Sequence, residues 1–195
     1  VVTSNTVSGN AAASYAGIYI NGSTSDTATI ANNVVKANNG AGLMVYTVSA
    51  NIVNNTIVNN MSTSGALITS SASSLVRNNI VAFNAAGINK SSGSASLLNN
   101  CVYGNTSYNY SGVSAGTGDI SVDPLLTDTA YGNTHIRPGS HCINAGYDAA
   151  IIPGWLDIDG QSRIQGSHVD IGADESDGTT WPVGPGVIVR VSPTG

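Results

Sequence analysis

The sequence predicts an all-β solenoid of about five turns, a coil of parallel strands with one turn per repeat. Three observations predict it. The pattern Asn, any residue, Val or Ile, any two residues, Asn recurs five times, with starts 28, 22, 24 and 21 residues apart, and a period of this length marks a repeat architecture. Small apolar residues recur at fixed offsets from each copy, as an interior file requires. No segment sustains a 3.6-residue period, whereas Val, Ile and Thr, which suit strands, are plentiful.

The elements follow in order within each unit. The copies open at Asn5, Asn33, Asn55, Asn79 and Asn100 and close at Asn10, Asn38, Asn60, Asn84 and Asn105. Stacked at roughly 4.8 Å per rung, the opening residues would form a polar ladder at a bend. An asparagine amide donates to one neighbour, accepts from the next and tolerates unusual turn backbone. Val7, Val35, Ile57, Val81 and Val102 would form an apolar file inside. Upstream of each copy stand an apolar residue (Val2, Ile30, Ile52, Val76, Leu97) and a small polar one (Ser4, Asn32, Asn54, Asn78, Asn99). Between copies a glycine precedes an apolar residue, as in Gly17-Ile18, Gly42-Leu43, Gly65-Ala66 and Gly87-Ile88. Each unit therefore offers about three short strands. With Val81 inside and Ile80 outside, an Asp is expected to be ruinous at Val81 and mild at Ile80.

Composition narrows the class. The 195 residues make one domain's worth of chain, 41% hydrophobic and only 9% charged. A surface this poor in charge must be Ser, Thr, Asn and Gly, a composition that favours a secreted or cell-surface setting. Six basic residues against eleven acids argue against nucleic-acid binding, and no apolar run is long enough for membrane insertion. The acids are unevenly placed: residues 1–118 hold Asp26 alone, and the other ten follow. The expected organisation is β-helix turns over 1–118, a capping segment over 119–178, and a linker with a trailing strand over 179–195. A solenoid needs a cap because its last rung exposes an open core and unpaired strand groups.

The tail carries a family resemblance. Its landmarks are Asp123-Pro124-Leu125, Arg137-Pro138-Gly139-Ser140, Ile143-Asn144-Ala145-Gly146, Asp157-Ile158-Asp159-Gly160 with Arg163, and Asp170-Ile171-Gly172-Ala173-Asp174-Glu175. In this order they resemble the closing string of bacterial extracellular right-handed parallel β-helix proteins, similar to pectate lyases in architecture, of the choice-of-anchor Q type. The resemblance implies a right-handed helix with an irregular C-terminal cap and says little about activity. Residues 187–195 resemble the opening of such a domain, and Val1 falls on an apolar file. The expectation is an excerpt of a longer, tandem surface protein.

Catalytic chemistry is scarce on the turns. A β-helix glycosidase needs paired carboxylates, and a lyase resembling the pectate lyases needs a carboxylate cluster with a Lys or Arg base. Residues 1–118 offer one carboxylate and three bases, Lys36, Arg77 and Lys90, of which Lys36 and Arg77 do not share a file. The string Gly112-Val113-Ser114-Ala115-Gly116 matches a hydrolase elbow but lacks a strand-to-helix context. Asp157 and Asp159 begin like a calcium loop, yet His168 stands where the twelfth-position Glu belongs. They are the candidate ligands for calcium, against a simpler role in capping turns. Cys101 and Cys142 would either pair as a disulfide tying the last turn to the tail or remain two buried thiols. Tyr15, Tyr19, Tyr46, Tyr103, Tyr108 and Tyr110 would serve either sugar stacking or packing. The expected function is a non-catalytic structural, adhesive or self-assembling module, with no cofactor, its partners copies of itself, adjacent modules or polysaccharide. The alternative is the C-terminal part of a polysaccharide lyase or glycoside hydrolase, or a carbohydrate-binding β-helix.

Overall fold

A computed structural model describes residues 1–11 and 16–184. Tyr15 and the trailing strand expected at 187–195 lie outside the described residues. Within them the chain coils as a parallel β-solenoid. The first rung holds β1 (Val2–Thr3) and β2 (Thr6–Ser8). The next two give β3 (Ile18–Asn21), β4 (Thr27–Ala31), β5 (Val34–Lys36), then β6 (Leu43–Thr47), β7 (Ser49–Val53) and β8 (Thr56–Val58). After them come β9 (Leu67–Arg77), β10 (Ile80–Ala82), β11 (Ile88–Leu98), β12 (Cys101–Tyr103) and the short β13 (Tyr110–Ser111). Strands β2, β5, β8, β10 and β12 stack as a five-stranded parallel sheet, and the others form an eight-stranded one. Five stacked rungs enclose about four complete turns, close to the five expected.

Register follows the repeat. Val7, Val35, Ile57, Val81 and Val102 are successive partners across the five-stranded sheet. Ile30, Ile52, Val76 and Leu97 are partners across the larger one. Both files meet in one apolar core. Two details differ from expectation. In the third turn Leu67, not Ala66, pairs with Leu43 and Ile88, so Ala66 occupies the glycine position. In the third and fourth turns two of the expected short strands fuse into the 11-residue β9 and β11, because their Ser-, Ala- and Gly-rich middles bend through bulges rather than breaking.

The corners are built from left-handed residues. Ser4, Asn32, Asn54, Asn78 and Asn99 all have φ between 51° and 56°, a region that asparagine tolerates better than other side chains. A second corner repeats the device at Gly9, Ala37, Asn59, Phe83 and Gly104. The glycines before the first strand of each unit serve close packing: a Cβ on Gly87 would lie 2.2 Å from the Asn109 carbonyl oxygen. Gly87→Ala is therefore expected to lower the melting temperature by several degrees, as about 2 kcal/mol of backbone displacement would; thermal unfolding followed by circular dichroism checks it.

Beyond the last rung the chain closes the core end and then turns sideways. Tyr110 and Val113 pack on the end of the core, and Thr117 and Ile120 bridge to Leu98 and Cys101 as a partial further rung. The irregular segment that follows lies along the flank of the solenoid instead of over its end. It includes the antiparallel pair β14 (Leu126–Asp128) and β15 (Asn133–Ile136). Leu126, Ile136, Cys142 and Ile171 pack on Val58, Ile80, Ala82 and Cys101, the outward residues of the five-stranded sheet. Ala150, Ile151 and Trp155 cover Ala31 and Val53. The expectation for Ile80 is corrected accordingly. It points out of the solenoid, as its alternation with Val81 requires, but both residues are 0% exposed. Among the described residues no helix is long and apolar enough to cross a membrane.

Candidate functional site

The features that could carry function are the polar ladders, the flank sheath and the sheet face it leaves open. The ladder expected at the first corner is continuous. The Nδ2 groups of Asn5, Asn33, Asn55 and Asn79 donate to the Oδ1 of the next member at 2.9–3.0 Å. Each Oδ1 also accepts the backbone N–H of the preceding member. The ladder ends on Asp119, whose Oδ1 accepts both the backbone and side-chain N–H groups of Asn100. Aspartate suits the last position because only acceptance is required there. A second ladder, not singled out from sequence, runs through Asn10, Asn38, Asn60, Asn84, Asn105 and Asn109. Its signal was the closing Asn of every repeat.

The left-handed asparagines hold the sheath. Asn54 donates to the carbonyls of Asp170 and Gly172, Asn99 to that of Ala145, and Asn78 exchanges two hydrogen bonds with Tyr147. The Thr56 hydroxyl accepts the N–H of Ala173, and Lys36 donates to the carbonyl of Gly132. The sheath thus runs back from the last turn towards the first.

The carboxylates organise loops, most of them the sheath's own. Ten of the eleven accept at least one backbone N–H: Asp26, Asp119, Asp123, Asp128, Asp148, Asp157, Asp170, Asp174, Glu175 and Asp177. Asp157 takes three, from Asp159, Gln161 and Glu175. Of the two candidate calcium ligands, Asp157 has both oxygens on backbone N–H groups of turns, and Asp159 meets His135, with Nε2 to Oδ2 2.8 Å. Arg163 is buried at the centre, donating to the carbonyls of Asp170, Gly172 and Ala173, with Glu175 at 3.6 Å.

Burial pushes Glu175 up to about 7, against the pull of the Asp170 N–H and the Arg163 charge. A carboxyl raised on folding binds its proton more tightly in the native state. Its stabilising contribution is present below the ordinary carboxylate range and is lost as pH rises through about 7. Melting measured from pH 5 to 8 should show a Glu175-dependent decline, absent in Glu175→Gln; a rise over that interval in the native protein alone would contradict it.

Cys101 and Cys142 are both buried and stand as free thiols in the structure. The Cys142 thiol, through a hydrogen bond, and then burial push Cys101 up. Neither should react with a disulfide reagent until the protein unfolds, when two thiols should titrate. The tyrosine cluster is dispersed. Tyr110 packs on the core and its hydroxyl meets Asp119 at 3.2 Å. Tyr103 stands edge-on to Phe83 at 5.8 Å, and Tyr108 is partly buried. Tyr19 and Tyr46 are exposed. The Gly112 to Gly116 string has no helix after it, and Val113 serves the core.

The outer face of β4, β7 and β9 is left open except at its far end, where Ala31 and Val53 are covered. It carries a shallow groove of about 280 Å³, lined by Thr27, Thr29, Ser49, Asn51, Ser73 and Leu75. It is a neutral surface of hydroxyl, amide and aliphatic groups, Ala28, Ala50 and Leu75 among them.

Fold and site together define a β-helix repeat protein in which asparagines stack the rungs and hold the flank, and carboxylates order the flank's loops. The comparison with known families agrees. Residues 1–125 match the family described as the right handed beta helix region, and the chain belongs to it. No curated protein and no solved structure gives a match.

Proposed function

We propose that this chain is a non-catalytic, extracellular structural module of a surface or secreted protein, a stiff element that adheres or assembles with copies of itself or with adjacent modules. One observation carries the reading: ten of eleven carboxylates are committed to backbone N–H groups. The open sheet face is lined by Thr, Ser, Asn, Ala and Leu. Acid–base cleavage of a glycosidic bond requires two carboxyl groups poised across it, and eliminative cleavage requires a base beside a cation-holding cluster.

Incubation with pectic, alginate and xylan polysaccharides should release neither unsaturated uronate nor reducing ends above a buffer control. Turnover that disappears in Asp159→Asn would overturn the reading. Sedimentation over a range of concentrations should show self-association, and a strictly monomeric protein that binds no surface material would argue against assembly. The groove over Thr29, Asn51 and Leu75 favours a second reading, binding of a neutral polysaccharide. Calorimetry with neutral glucans and mannans tests it, with Asn51→Ala expected to weaken any binding.

A further inference from the structure

We propose that His135, Asp159 and Asp174 form a divalent-cation site that pins three separate stretches of the flank sheath together. The ligand atoms of these residues all lie within 4.8 Å of one another. Tetrahedral coordination at about 2.1 Å would set them roughly 3.4 Å apart. His135 Nε2 and Asp159 Oδ2 stand 2.8 Å apart, and no pair of ligand atoms in the group is further apart than 4.8 Å.

The hydrogen bonds around His135 supply an independent argument. Its Nδ1 lies 2.6 Å from the Oδ1 of Asn133. That oxygen also accepts the His135 backbone N–H, and the Asn133 Nδ2 donates to the Pro182 carbonyl, so the amide orientation is fixed. Nδ1 therefore carries the hydrogen, and Nε2 turns its lone pair on the Asp159 carboxylate. Two acceptors 2.8 Å apart need a positive charge between them. A proton would serve, and so would a metal ion. An imidazole whose other nitrogen donates to a fixed oxygen is the arrangement that metal-ligating histidines use. Trp181 stacks on the ring, centroids 3.6 Å apart and planes 12° from parallel, which holds the ring plane.

Asp174 supplies the third ligand. It is buried, one oxygen accepts the Ile136 N–H at 2.8 Å, and the other receives no hydrogen bond from a described residue. His135 and Asp159 line a recess of about 290 Å³ beside the first turns, together with Ser4, Thr6 and Lys36. The Lys36 amine is spent on the Gly132 carbonyl. Two carboxylates against one ammonium still leave a net negative charge. One imidazole nitrogen with two carboxylates, the remaining positions open to water, suits Zn²⁺ or Mn²⁺. Ca²⁺ prefers six to eight oxygens. Bound there, the ion would join β15, the 157–160 turn and the 170–175 stretch.

The test uses the full chain stripped with chelator and titrated calorimetrically with Zn²⁺ and Mn²⁺. One equivalent is expected to bind, with a rise in melting temperature. His135→Gln and Asp159→Asn should each weaken binding at least about tenfold. Asp123→Asn, a turn cap elsewhere, should change nothing. Asp159 is exposed, so Asp159→Asn is expected to fold, which circular dichroism checks. Co²⁺ should give visible absorption bands that vanish in His135→Gln. Absence of binding would mean that a proton alone bridges His135 and Asp159, and the site is overturned. Binding that His135→Gln and Asp159→Asn leave unchanged overturns it equally.

Discussion

Ile80→Asp is expected to unfold the protein as thoroughly as Val81→Asp, each by at least about 4 kcal/mol. The two residues point to opposite faces of one strand, so alternation alone would make one of them tolerant. Both are 0% exposed: Val81 lies in the solenoid core, and Ile80, on the outer face of the five-stranded sheet, lies beneath Leu126, Ile136, Cys142 and Ile171. A carboxylate at either position would be buried without a cation. Thr27→Asp, on the uncovered face, should stay within about 0.5 kcal/mol of the native protein. Equilibrium denaturation of the three variants decides the matter. A tolerant Ile80→Asp beside a ruinous Val81→Asp would mean that the flank is bare.

The second large effect concerns charge without a change of shape. Asn55→Asp keeps the acceptor that serves Asn33 but removes the Nδ2 hydrogens. Those hydrogens bond the carbonyls of Ile30 and Val53 and the Oδ1 of Asn79. A buried carboxylate would then face three acceptors, at an expected cost of about 4 kcal/mol or more. The same chemistry at the end of the ladder is native, since Asp119 accepts from Asn100 and its other oxygen takes the Gly116 N–H. Asp119→Asn should therefore cost only about 1 kcal/mol, through loss of that second acceptor. Equal costs at both positions would mean that the ladder has no direction.

The solenoid was legible because its contacts repeat. Asparagine spacing located the corners, and the spacing of Val35, Ile57 and Val81 located the core. The sheath was not legible in the same way. Its anchors join single carbonyls to asparagines far away in sequence, such as Asn54 to Gly172, and irregular backbone has no period. One signal was nevertheless present. Strands reading Ile80-Val81-Ala82 and Thr56-Ile57-Val58 are apolar on successive residues, as strands covered on both faces are. The His135 group was out of reach because its members come from separate loops, brought together only by the sheath's turns.

The measurement that tests the account most directly is hydrogen exchange across the full chain. If the sheath is an integral layer fastened to the left-handed corner asparagines, amides of Ile171, Gly172 and Ala173 should exchange as slowly as those of Ile80 and Asn55, and all should open in one cooperative step. Fast exchange throughout 123–175 beside a protected solenoid would contradict it and leave the carboxylates without the structural role assigned to them here.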